Sequence, residues 1–359
     1  MTDSASAPME STPSKGALCA VAAAALFGVS APLAKLLVAT ISPLLLAGLL
    51  YLGGGLGLAA VGLATRGKVF RGEAKLRKSD VGYLLAIMVL GGVVGPVLML
   101  FGLRAVSGVA GSLLLNLETV FTILLAVYWF REHIGARGII ATTLVVAGAV
   151  MLGIGPGGLR APWTGVLAIA GACACWAVDN NLTQRLSLRN PIAVVRIKAL
   201  SAGACTLGIA LAAGEVLPSF KVLILALSVG VVCYGISIAL DMYALRILGA
   251  AREAAYFATA PFLGALAAIP ILGERPGLPH LLSALLMGAG AFLLIRERHG
   301  HLHRHEALEH DHAHVHDQHH RHQHEGSVPL TEPHSHPHRH VTLVHDHPHV
   351  SDLHHRHRH

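Results

Sequence analysis

Glu118 is the first residue of chemical interest in this 359-residue chain, because it interrupts an otherwise apolar stretch. Asn116 and Thr122 lie close by, and Glu118 and Thr122 are four residues apart, a spacing that places both on one helix face. A charge at such a position usually faces a water-filled cavity or a partner. We therefore predict that this face lines a pathway, with Glu118 as proton acceptor or cation counter-ion. A structural carboxylate paired to another helix is the alternative.

Asp179, Asn180 and Asn181 form a second polar cluster within an apolar stretch. Three consecutive polar side chains point to several faces of a helix, so at least one of them must meet another helix or a cavity. We predict contact with a substrate or a gate, and interhelical hydrogen bonding is the alternative.

Further along the chain, Tyr256 and Thr259 are candidates for the same pathway, although a lone tyrosine in a helix more often packs. Arg196 and Lys198 of span seven and Asp241 of span eight are candidates for an ion pair at an inner gate. Snorkelling of the two cations to the membrane surface explains their positions equally well.

The last 61 residues hold 23 of the 25 histidines and very few apolar side chains. Such a segment cannot bury a core, so we predict a disordered tail over residues 297–359. Its His-x-His repeats predict binding of Zn²⁺, Ni²⁺ or Co²⁺ through neutral imidazole. The first candidate ligands are His301, His303, His305, His310, His312, His314 and His316.

The composition of the whole chain indicates a membrane protein: it is 53% hydrophobic and 13% charged, about half the charge of a soluble domain. Ten apolar spans are predicted, with short connections. Their limits are 17–38, 42–65, 82–103, 109–130, 138–154, 163–184, 192–213, 222–245, 254–272 and 278–295. We predict an all-α integral membrane protein without catalytic residues, since no Ser/His or paired-Asp constellation shares one depth.

Basic residues in the short loops predict the orientation. With the N-terminus inside, 15 Lys and Arg fall on the cytoplasmic side and 4 outside, so the positive-inside rule places both termini in the cytoplasm. We expect a multi-pass protein of the cell membrane, either the inner or the plasma membrane.

An internal repeat relates the two halves of the chain. Residues 103–135 align on residues 245–277 without a gap, at a constant offset of 142. Because each copy holds five spans, the second enters the membrane from the opposite side, which is typical of secondary transporters. The predicted domains are a disordered N-terminus (1–15), two five-span repeats (16–154 and 155–296) and the tail (297–359).

Two pairs of segments resemble the EamA-type permeases of the drug/metabolite transporter superfamily. They are the first helices of the two repeats, ALFGVSAPLAKLL and ACWAVDNNLTQRL, and the ends of the two fourth helices, TVFTILLAVYWFREHIG and PFLGALAAIPILGERPG. The resemblance covers about residues 16–296 and implies a transporter with two inverted five-helix repeats. One departure is that the first repeat has Thr119 where the second has Pro261, so the two fourth helices are not expected to kink alike.

The sequence therefore favours a secondary transporter of a small organic metabolite or drug, working by alternating access with proton coupling. A divalent metal exporter, or a metal-regulated permease using the tail, is the alternative. No cofactor is expected, apart from Zn, Ni or Co at the tail. Expected partners are the lipid bilayer and a small-molecule substrate, with a homodimer left open and no nucleic acid.

Overall fold

The apolar stretches of the sequence form ten long helical spans in a computed structural model of the chain. The structure describes residues 13–64, 76–130, 134–154, 161–183, 186, 189–248 and 250–295, and the backbone of four strands in the tail. Within this part, each of the ten candidate spans has at least 18 residues, the length needed to cross the apolar core of a bilayer.

The helices have the following bounds in chain order: α1 (Pro13–Val38), α2 (Pro43–Ala64), α3 (Val81–Ile87), α4 (Gly95–Ala105), α5 (Gly108–Leu114), α6 (Leu117–Phe130), α7 (Ala136–Ile154), α8 (Trp163–Thr183), α9 (Pro191–Ala212), α10 (Phe220–Val229), α11 (Ser237–Leu248), α12 (Ala250–Phe257), α13 (Ala260–Leu272) and α14 (Leu278–Ile295). Span three is α3 and α4 joined by a π-helix (Met88–Val94) and preceded by a 3₁₀ turn (Lys78–Asp80). Span four is α5 and α6, span eight is α10 and α11 joined by a second π-helix (Gly230–Ile236), and span nine is α12 and α13.

Local sequence signals set several helix ends. Asn190 caps α9 by accepting a hydrogen bond from the Ala193 amide at 3.0 Å, and Ser107 caps α5 in the same way, as short polar side chains at helix N-termini usually do. At the other end of α13, Gly273 has a φ of 66°, a left-handed conformation that glycine adopts without steric cost.

The predicted repeat is confirmed by the irregularities of the helices as well as by their number. The two π-helices begin at Met88 and Gly230, which are 142 residues apart. Spans four and nine both break in the middle. Thr119 and Pro261 occupy equivalent positions just after these breaks, so the two spans break at the same point of the repeat, and a difference between their kink angles remains a prediction. A proline is not needed for the break in span four.

The first span of each repeat packs against the opposite repeat. α1 packs on α11 and α13 of the second repeat, and α8 packs on α4 and α6 of the first. The second spans, α2 and α9, pack along each other and form a seam between the repeats. We call the end of the bundle where α1 begins and α14 ends the termini face, and the opposite end the far face.

Glycines allow the close approach at the seam. A Cβ on Gly203 of α9 would lie 2.6 Å from the backbone nitrogen of Leu52 and 3.0 Å from the Gly48 carbonyl oxygen. Small residues at such contacts bring helix backbones close enough for extensive van der Waals packing. The sequence therefore uses glycine at the seam for packing rather than for chemistry.

The tail contains four short strands. β1 (His299–His305) pairs antiparallel with β4 (Leu343–His349), and β2 (Glu309–His314) pairs antiparallel with β3 (His334–Arg339). Isolated two-stranded pairings are marginally stable in water. The side chains of the tail lie outside the described residues, so its disorder and its metal ligands remain predictions.

Replacing Gly203 with Ala is expected to destabilise the protein by about 1–3 kcal/mol, because the added methyl group overpacks the seam. Gly208 is the matched control, since it lies on the same helix and a Cβ there would have no atom within 4 Å. Gly208→Ala should leave stability unchanged or raise it by up to about 1 kcal/mol. Thermal unfolding midpoints of the detergent-solubilised protein measure both effects, and equal midpoints for the two variants would contradict the close packing.

Candidate functional site

The break in span four positions the candidate site. α5 ends at Leu114 and α6 begins at Leu117, so backbone groups near the break need partners from outside the regular helix. The Asn116 amide donates to the Leu113 carbonyl oxygen at 2.9 Å. The Cys173 thiol of span six lies 3.7 Å from the Leu114 carbonyl oxygen. Discontinuous helices of this kind form binding sites in many transporters.

The two polar clusters predicted from the sequence meet at this break. The Asn180 side-chain amide donates to the Glu118 carboxylate at 2.7 Å. Glu118 is half-buried and belongs to the first repeat, whereas Asn180 is exposed and belongs to the second. This hydrogen bond therefore connects the two repeats at the break in span four.

A buried ion pair lies beside this contact. The Lys198 Nζ of span seven lies 2.8 Å from the Asp179 carboxylate, and the two side chains are 16% and 5% exposed. The Thr183 hydroxyl also donates to Asp179, at 3.3 Å. Lys198 is thus paired with Asp179, and the predicted ion pair between Lys198 and Asp241 is wrong. Asp241 instead interacts with the neighbouring Glu253 carboxyl.

The π-helix of span three adds a hydrogen-bonding centre at Gly91. The Gly91 carbonyl oxygen accepts bonds from the Tyr51 hydroxyl at 2.7 Å and the Trp176 indole N–H at 3.1 Å. A Cβ on Gly91 would overlap the Asp179 carboxylate. Glycine at this position therefore lets span six approach span three closely enough to place Asp179.

Aromatic rings extend from this centre toward the second repeat. Tyr51 lies 6.0 Å from Tyr234, Tyr234 lies 5.9 Å from Phe27, and Phe27 lies 5.2 Å from Phe257, measured between ring centroids. These rings are half-buried. The middle of the bundle thus has a polar side, near Glu118 and Asp179, and an aromatic side.

The charges of the polar side do not balance. Lys198 compensates Asp179, while Glu118 interacts electrostatically with both of them and has the neutral Asn180 as its direct partner. One carboxylate is therefore in excess among these three charged groups. A proton or a positively charged group would neutralise it.

Several predicted residues have their polar groups engaged within their own helix or away from Glu118. The Thr122 hydroxyl donates to the Glu118 backbone carbonyl oxygen at 2.9 Å, and the Asn181 amide donates to the Ala177 carbonyl oxygen at 2.8 Å. Asn116 is 6% exposed, and its amide lies 3.9 Å from the Met287 sulfur of span ten. The place of these three residues along the pathway remains a prediction.

Tyr256 and Thr259 lie at the break in span nine, the counterpart of the break beside Glu118. The Thr259 hydroxyl donates to the Tyr256 carbonyl oxygen at 2.6 Å, and Thr259 is exposed. Their predicted place along the pathway remains a prediction.

Hydrogen bonds and ion pairs also join the repeats at both ends of the bundle. At the far face, the Glu274 carboxylate accepts from the Gly108 and Val109 amides at 2.5 and 2.8 Å. At the termini face, Arg189 pairs with Asp80 at 2.8 Å. Glu274 thus joins neighbouring helix ends, while the equivalent Glu132 lies outside the described residues.

Sequence reasoning missed Tyr51 and Trp176. Their polar tips need partners when buried in an apolar span, and Trp176 lies three residues before Asp179, on the same helix face. This spacing was the available signal. No sequence signal identified the Gly91 carbonyl as their partner, because the π-helix that contains it has no local sequence signature.

The comparison with known families identifies the chain. The model of the EamA-like transporter family matches residues 14–154 and again residues 163–296. The chain belongs to the EamA-like transporter family. It is accordingly a multi-pass membrane transporter, consistent with its ten candidate spans.

Other proteins share this architecture. The EamA-like chain is 30% identical over 295 residues to an uncharacterized transporter of Methanothermobacter thermautotrophicus, a match that covers 78% of this chain and 85% of the relative. It is also similar in fold to a protein of known crystal structure, with a TM-score of 0.56 and 23% identity, over 78% of this chain and 96% of that one.

Replacing Lys198 with Met is expected to destabilise this EamA-like protein by about 3–5 kcal/mol, because Asp179 would stay buried without its counter-charge. The double variant Asp179→Asn/Lys198→Met should recover much of that loss. Thermal unfolding midpoints of the two single variants and the double variant measure the coupling. Additive effects of the two substitutions would contradict a direct ion pair.

Proposed function

We propose that this chain is a secondary transporter of a small organic solute that works by alternating access between its two repeats. The hydrogen bond between Asn180 and Glu118 carries this proposal, because it joins the repeats at a broken helix. A solute or proton that binds Glu118 must change this contact. Binding at the centre is thereby coupled to the relative position of the repeats.

Proton coupling follows from the chemistry of the same contact. The ionised Glu118 carboxylate is a strong acceptor for the Asn180 amide, whereas a protonated carboxyl group is a weaker one. Protonation therefore loosens one connection between the repeats and removes the excess negative charge. A cationic group on the solute would compete for the same carboxylate, which permits exchange of solute for proton.

Glu118 and Asn180 form the centre of the proposed pathway. Asp179 belongs to its wall, since its carboxylate is occupied by Lys198. Tyr256 and Thr259 extend the wall to span nine. The half-buried aromatic rings supply apolar surface for the body of the solute, as in most small-molecule sites.

The location of the protein is proposed from the charges of its loops. The excess of basic residues at the termini face supports a cytoplasmic position for that face and an external position for the far face, by the positive-inside rule. The histidine-rich tail then extends into the cytoplasm. We propose that metal binding by the tail is accessory to transport. The reason is that, among the described side chains, no group of three or more His, Cys, Asp or Glu is placed to hold a metal ion.

Glu118→Gln is expected to abolish proton movement driven by solute, because the amide cannot take up and release the proton. Proteoliposomes containing the full chain and an entrapped pH-sensitive dye measure this flux, with a panel of amino acids and amine-bearing drugs as solutes. Glu215→Gln is the control, since Glu215 hydrogen-bonds Ser42 in the far-face loops and is remote from the site. A loss of about tenfold or more is expected for Glu118→Gln only.

Two outcomes would contradict the proposal. Full solute flux in both Glu118→Gln and Asp179→Asn would show that the centre of the pathway lies elsewhere. Deletion of residues 299–359 should leave organic solute flux intact, and complete loss of flux on deletion would favour a metal-centred function.

A further inference from the structure

A cavity lies at the far face, away from Glu118. It has a volume of about 310 Å³ and lies where the loops before spans four, six and ten converge. Ser107, Pro162, Glu274, Arg275 and His280 are among its lining residues. This volume is at the lower end of the range for pockets that bind small organic molecules.

His280 is the unusual residue of this cavity. It is only 6% exposed, and its Nδ1 atom is buried without a hydrogen-bond partner in the structure. A buried polar atom without a partner is costly, so it needs a bound molecule or water. His280 is one of the cavity's lining residues, and a protonated imidazole nitrogen is a hydrogen-bond donor.

The charges around the cavity favour an anion. The Glu274 carboxylate accepts from the Gly108 and Val109 amides at 2.5 and 2.8 Å, and Lys35 interacts with it electrostatically. Arg275 lines the cavity with an exposed guanidinium group. Ser107 accepts from the Ala110 amide and keeps its hydroxyl hydrogen for donation.

The remainder of the wall is apolar. Val106, Val109, Ala110 and Pro162 line the cavity beside these donors. A ligand with an anionic head and a short hydrocarbon body would place the head against Arg275 and His280 and the body against the valines and the proline. Inorganic phosphate has the anionic head but not the hydrocarbon body, so an experiment can separate recognition of the head from recognition of the body.

We propose that the far-face cavity binds a small organic carboxylate, with Arg275 and His280 as the donors to its carboxylate group. The site is separate from the pathway around Glu118, so it acts as an accessory or regulatory site on the face that we place outside the cell. Its occupation would fix the loops before spans four and ten in the arrangement held by Glu274.

Binding of butyrate to the full chain tests this proposal without any transport assay. The protein is placed in nanodiscs of zwitterionic phosphatidylcholine and titrated calorimetrically with sodium butyrate, with n-butylammonium chloride as the probe of reversed charge and inorganic phosphate as the head without a body. Saturable binding of butyrate is expected, with phosphate weaker. Butylammonium is a candidate ligand of the Glu118 pathway, so any binding of it should be unchanged in Arg275→Gln. Absence of butyrate binding, or butyrate binding that Arg275→Gln leaves unchanged, overturns the proposal.

Two variants and one control assign the binding to this cavity. Arg275→Gln and His280→Gln should each weaken butyrate binding by about tenfold, the effect of losing one charge-assisted hydrogen bond. Arg104→Gln is the control, because Arg104 is an exposed cation near the same face that does not line the cavity. Arg275 is exposed, so its substitution should not impair folding. Equal affinity in wild type and Arg275→Gln overturns the assignment even if His280→Gln fails to fold.

Discussion

Backbone hydrogen bonding inside a bilayer is the constraint on which this structure depends. Lipid offers no partners for amide and carbonyl groups, so a spanning helix satisfies them internally and any irregularity requires partners from neighbouring side chains. In this transporter the irregular segments lie where the polar residues gather. The Gly91 carbonyl in a π-helix receives Tyr51 and Trp176, and the break before Glu118 receives Cys173 and Asn116. Local departures from the α-helix thus place the polar groups of the site, as π-bulges often do at functional sites.

The inverted repeat reproduces the backbone geometry but not the chemistry. At the offset of 142, Glu118 corresponds to Ala260, and Gly91 corresponds to Cys233. The second repeat therefore has the same π-helix and the same break without the carboxylate. Its irregular segments carry aromatic residues such as Tyr234 and Phe257 instead. The carboxylate of Glu118 thus has no counterpart in the second repeat. The site combines this one carboxylate in excess with the apolar surface of the aromatic rings, an arrangement that suits a solute with a charged group and an apolar body.

Much of the fold could be predicted from the sequence, because span length and loop charge follow from bilayer thickness and the positive-inside rule. The predicted span 278–295 coincides with α14, and the repeat offset recurs in the two π-helices. The pairing of Glu118 with Asn180 could not be predicted. It depends on how span six packs against span four, 62 residues away along the chain. The partner of Lys198 could not be predicted either. Asp179 and Asp241 are both acidic residues within spans, and only the packing of the helices selects Asp179 as the partner.

The central claim is that Glu118 lies on a pathway opened alternately to the two sides of the membrane. Thr119 is exposed and adjacent to Glu118, so Thr119→Cys, in a chain with its five native cysteines replaced, reports this access through labelling by a membrane-impermeant maleimide. Leu285→Cys on α14, 70% exposed on an apolar helix surface, is the lipid-facing control and should not be labelled. Labelling of Thr119→Cys from both sides of oriented vesicles is predicted. Labelling from one side only, or from neither, would contradict alternating access at this site.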